Sequence, residues 1–166
     1  MMRTAKTYST QDFAGDYSFR FGGFAVGPDE RLYNIVGVGI LHLSDSGKLI
    51  GEHQSTIMHL AGPKAATKHS RYFWKGTYVI NRNGTGTLSV HFHPDDVDSP
   101  ADLQDDFSLV IRESSDRFWF ISNGPKILPE DRAVPEMVSA EAVRIPRTCA
   151  KKEIFDASLL NALSLG

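Results

Sequence analysis

The chain is poor in the features that would fix its class at once. It holds one cysteine, Cys149, which excludes an internal disulfide and a cysteine-based zinc site. No apolar run approaches the ~20 residues of a membrane-spanning helix. Neither charge dominates: 18 Lys and Arg against 20 Asp and Glu leave a net −2. That argues against a dedicated nucleic-acid binder, whose affinity comes largely from neutralised phosphates. Met1 to Thr10 lacks the apolar core of a secretory signal. No segment before residue 150 carries a convincing helical period. No Gly-x-Ser-x-Gly elbow is present, and Cys149 has no evident neighbouring base. Gly84-Thr85-Gly86 opens no helix, so it is not a phosphate loop. These absences lead us to expect a cytoplasmic chain with no membrane or nucleic-acid partner and no cofactor.

What is present reads in period two. Tyr17, Phe19 and Phe21 alternate with Asp16, Ser18 and Arg20 over Gly15 to Phe21, as in a half-buried strand. Leu32 to Leu43 is apolar on both sides, and Ser44-Asp45-Ser46-Gly47 is turn chemistry. Lys48 to Leu60 runs back as a long strand. Arg71 to Asn81 with Thr85 to His93, and Asp106 to Glu113 with Arg117 to Ser122, form two further hairpins; Met137 to Ile145 supplies an eighth strand. Ala61 to Ser70, Pro94 to Gln104 and Asn123 to Glu136 read as loops. Eight strands at hairpin spacing predict an all-β fold: a single antiparallel barrel, since closure removes exposed edges. Phe155, Leu159, Ala162 and Leu163 recur at helical spacing in the tail. The expected organisation is an N-terminal extension over 1–11, a barrel over 12–147 and a helical tail over 148–166.

Gly15-Asp16-Tyr17-Ser18-Phe19, Gly37-Val38-Gly39-Ile40-Leu41-His42-Leu43, Asp45-Ser46-Gly47-Lys48-Leu49-Ile50-Gly51, Gly76-Thr77-Tyr78-Val79-Ile80-Asn81 and Gly84-Thr85-Gly86-Thr87-Leu88 occur in that order. The pattern resembles a broad group of small bacterial and fungal barrel proteins, similar in outline to the allene oxide cyclase and lipocalin-like barrels. The resemblance spans roughly residues 12 to 145 and consists of turn glycines and core positions. It implies an eight-stranded barrel with a lumen. Relatives of that architecture include cyclases, isomerases and carriers, among which fold does not choose. No catalytic motif of the plant cyclases is carried over.

Turn geometry fixes which side chains enter the lumen. With Tyr17, Phe19 and Phe21 inward, parity places Ile35, Gly37, Gly39 and Leu41 inward, and on the next strand Leu49, Gly51, His53, Ser55, Ile57 and His59. Tyr72, Trp74, Gly76, Tyr78 and Ile80 face Gly86, Leu88, Val90 and Phe92. The lumen is therefore aromatic and aliphatic, with a few polar groups. Tyr17, His53, Ser55, His59, Tyr72, Trp74 and Tyr78 are the expected ligand-binding set. The alternative is a barrel packed solid, serving as a protein-interaction module. In an enzyme of the cyclase or isomerase kind, His53 or His59 would move the proton.

His91-Phe92-His93 with Asp95 and Asp96 has the spacing of a metal pair on one strand face. That face also carries Thr85, Thr87 and Ser89, which reads as a solvent side, so no metal site is expected. Asp95, Asp96, Asp98, Asp102, Asp105 and Asp106 read as a solvated acidic loop without the glycine and terminal glutamate of a calcium loop. Glu52 and Gln54 fall outward. So do Val36, Val38 and Ile40, whose apolar stripe needs a cover from the tail or a second subunit, and self-association into a homo-oligomer is the expectation.

Overall fold

The computed structural model describes residues 7–26, 30–59, 67–112 and 116–146. A short helix, α1 (Thr10–Phe13), precedes ten strands: β1 (Gly15–Val26), β2 (Leu32–Leu43), β3 (Lys48–His59), β4 (Thr67–Ile80), β5 (Thr85–His93), β6 (Leu103–Ile111), β7 (Arg117–Ser122), β8 (Lys126–Ile127), β9 (Arg132–Ala133) and β10 (Glu136–Arg144). Each of β1 to β6 pairs antiparallel with the next, β7 pairs with β10, and β10 returns to β1. Eight strands thus form a closed antiparallel barrel, and β8 and β9 are a small ribbon beside β6.

The inward parity read from the sequence holds for the buried side chains described around the barrel. Tyr17, Phe19, Leu41, Leu43, Leu49, Trp74, Tyr78, Leu88, Val90, Phe92, Phe107, Leu109, Phe118, Phe120 and Ala142 belong to one buried cluster. The register explains two glycines. Gly39 lies opposite Phe19 and Gly37 opposite Phe21. A Cβ on either would run into those rings, so their absence lets Phe19 and Phe21 lie flat across β2.

Several expectations are corrected. A helix does precede residue 150: Ser9 caps α1, its hydroxyl accepting from Asp12 N at 3.3 Å while the Asp12 carboxylate accepts from Ser9 N at 3.1 Å. This is a capping box. The strand assigned to start at Asp106 starts at Leu103, and β10 starts at Glu136 rather than Met137. His93, read as solvent-facing, is buried with 8% exposure because the Asp95-to-Ser99 turn folds over it, its ring Nδ1 lying 2.6 Å from Ser99 O.

The same turn resolves part of the outer apolar stripe. Val97 is buried against Ile50, with Ile40 and Phe73 packed beside them. Ile40 is therefore covered from within the barrel domain, while Val36 and Val38 remain 41% and 62% exposed. The tail expected over 148–166 lies outside the described residues.

Candidate functional site

One end of the barrel is filled. Phe13 of α1 enters the lumen with no solvent exposure, its ring 5.5 Å from Tyr17 and 5.0 Å from Phe118. The Tyr17 hydroxyl donates to Phe13 O at 2.9 Å, and that of Tyr78 to Ser44 O at 2.5 Å. Arg144 reaches from β10 to cap the helix carbonyls, donating to Ala14 O at 2.7 Å and Asp12 O at 3.0 Å. Tyr17 and Tyr78, two of the expected ligand contacts, are thus parts of this plug. Burial pushes the Tyr78 hydroxyl up to about 12, so it remains a neutral donor.

The other end holds a cavity of about 120 Å³. Phe19, Phe21, Trp74, Phe92, Phe107 and Phe120 form most of its wall. The Trp74 and Phe107 rings stack at 5.8 Å and 10°, and Phe92 meets Trp74 edge-on at 5.0 Å. Its upper wall comes from Ile35, Ile57, Leu103, Pro125 and Val138. The segment carrying Pro125 is tied down at Leu128 N to Asp102 O and Val134 N to Pro125 O, both 2.8 Å. A larger outer groove, walled by Trp119, Ile121 and Val110 across β10 and β1, is an open shelf and not an enclosure.

Five polar side chains reach the lumen cavity: His53, Ser55, Tyr72, Asp105 and Glu136. His53 is 8% exposed, and its Nδ1 accepts from the Trp74 indole N–H at 2.6 Å. Accepting there fixes the neutral tautomer with its proton on Nε2, and burial pushes its pKa down to about 4. The Tyr72 hydroxyl donates to an Asp102 carboxylate oxygen at 3.2 Å. Burial, then the Asp102 charge, holds that hydroxyl up at about 12. His59 ends β3 opposite Tyr33; its side chain lies outside what the structure describes.

Two site residues are not legible in the sequence pattern. Asp105, grouped with a solvated loop, is an inward residue of β6 with 3% exposure. Its Oδ1 has no hydrogen-bond partner. Burial pushes its carboxyl up to about 6, only partly offset by the Ser122 hydroxyl and the amides of Asp106 and Asn123. Glu136 is the first residue of β10, and burial followed by the Asp105 charge pushes it up to about 7. Asp102, from the same acidic run, keeps its second oxygen buried without a partner. His91, by contrast, is exposed on the outer face. Among the described residues no three His, Cys, Asp or Glu side chains are grouped so as to hold a metal ion, and no helix is long and apolar enough to cross a membrane.

The barrel is compatible with the general class that the sequence resembles. No family model and no curated protein matches the chain.

Proposed function

We propose that the protein binds a small, largely apolar molecule in the unfilled half of its lumen. The observation that carries this reading is the cavity of about 120 Å³ beneath an aromatic wall, in a barrel whose other end is packed solid. Filling half of a lumen and sparing the other half sets a size limit. Apolar cavities of roughly 150 Å³ accept benzene, so the occupant is no larger than a single ring or a short aliphatic chain. Of the residues expected at the site, His53, Ser55, Tyr72 and Trp74 are its contacts, joined by Asp105 and Glu136. A cytoplasmic location and association of copies through Val36 and Val38 complete the proposal.

The test uses the Trp119→Phe variant, in which Trp74 is the sole tryptophan. Titration with toluene or benzyl alcohol should change Trp74 emission saturably. Ser55→Leu, which adds bulk to the cavity wall, should abolish the change. Emission that responds equally in both proteins would defeat the reading.

A second reading, proton-transfer catalysis in the same cavity, is favoured by Glu136. A carboxyl pushed up to about 7 can both take and give a proton near neutrality. His53 suits this role less well, because Trp74 occupies its Nδ1.

A further inference from the structure

The cavity has an electrostatic character that an apolar ligand leaves unanswered. Asp105 is almost fully buried, lines the cavity and has an oxygen with no partner. Glu136 lines it too, and Asp102 stands behind Tyr72 with its own buried, unpartnered oxygen. Among the described residues no lysine or arginine lines the cavity. Burying carboxylates without a counter-charge is costly, and here the cost falls on a wall beside a space that a molecule can enter.

We propose that the ligand is a small organic cation, a primary ammonium on a single-ring or short aliphatic body. Its ammonium sits against Asp105 and Glu136, and its body against Trp74, Phe92 and Phe107. This rests on the lumen-binding reading and names the ligand class. An ammonium brings three donors and a positive charge. It satisfies the Asp105 oxygen with a charge-assisted hydrogen bond, and the aromatic faces attract it as well. An alcohol offers one donor and no charge, and a carboxylate meets repulsion from Asp105, Glu136 and Asp102. Among the described residues, the titratable groups that line the cavity with Asp105 are Glu136 from β10, Tyr72 from β4 and His53 from β3, with Asp102 behind Tyr72, and none of these is cationic at neutral pH; Asp106 follows it in the chain, and Lys126 of β8, paired opposite Gln104, interacts with Asp106 and does not line the cavity. Burial has already raised both cavity carboxyls; a bound ammonium pulls them back down, so binding near pH 6.5 releases protons.

Isothermal titration of the full-length protein with benzylamine, benzyl alcohol and benzoate at pH 7.5 tests this. Benzylamine should bind about tenfold or more tightly than benzyl alcohol, the effect of one charge-assisted hydrogen bond, and benzoate should not bind. The amine's advantage should shrink from pH 7.5 to pH 5.5 as the carboxyls protonate. Asp105→Asn, and separately Glu136→Gln, should bring the amine and alcohol affinities together, with thermal unfolding confirming that each variant folds. Equal binding of amine and alcohol by the parent protein would overturn the cation assignment and leave lumen binding standing. Failure of both to bind would overturn lumen binding itself. An amine preference that survives both substitutions in folded protein would place the cation elsewhere and overturn the proposal.

Discussion

The indole N–H of Trp74 donates to Nδ1 of His53 at 2.6 Å, inside the aromatic wall of the lumen. One bond satisfies two buried polar groups and orients both rings toward the cavity. Trp74→Phe keeps most of the packing and leaves Nδ1 without its donor, and it should cost about 1–3 kcal/mol in urea unfolding. Trp74→Ala should cost roughly 3–5 kcal/mol. Nitrogen NMR of the imidazole should show a neutral ring protonated on Nε2 down to pH 5. His53 is depressed in the folded state, so its contribution to stability is present above pH 6.5 and is lost as pH falls through about 4. A ring that titrates near 6.5 would contradict this arrangement.

Asp105 has the opposite sign. Its folded carboxyl lies near 6 against an ordinary 3.8, so the native state holds the proton more tightly than the unfolded chain. Stability from this group is fully present below pH 3.8 and is lost as pH rises through about 6. Asp105→Asn should therefore stabilise the protein at pH 8, by about 1–3 kcal/mol, with the gain closing toward pH 4. Urea unfolding at the two pH values measures it. A variant less stable than the parent at pH 8 would show that the buried carboxylate is a structural asset.

The two acids that the sequence reading missed, Asp105 and Glu136, have one cause in common. Each lies at or near the start of a strand, where polar residues blur into the preceding loop. Leu103-x-Asp105-x-Phe107-x-Leu109 alternates in period two, and so does Glu136-x-Val138-x-Ala140-x-Ala142. The aspartates flanking Asp105 masked the first pattern, and beginning the other strand at Met137 cut off the second. The hairpins were legible because their turns carry glycine where φ is positive, as at Gly47 and Gly84. Lumen parity followed from those turns, which is why His53, Ser55, Tyr72 and Trp74 could be placed. That Phe13 would fill one end could not be read from periodicity, since four residues of helix carry no period. The Ser9-x-x-Asp12 capping pattern was the available signal.

The plug gives a prediction of its own. Phe13→Ala should destabilise the barrel by about 3–5 kcal/mol. Urea unfolding measures this; a cost under about 1 kcal/mol would mean that Tyr17 and Phe118, which pack against Phe13, close over the space.

On the outer wall, Val38 is 62% exposed beside Val36. If copies associate there, the full-length protein should sediment as a dimer or larger species, and Val38→Glu should return it to monomer. A full-length monomer at high concentration would remove this interface.

Intermolecular nuclear Overhauser effects to methyl-labelled protein locate the site at which a small ring binds. Bound benzyl alcohol should give cross-peaks to Ile35, Ile57, Leu103 and Val138, which line the lumen cavity. Cross-peaks confined to Val110 and Ile121, which line the outer groove, would contradict lumen binding.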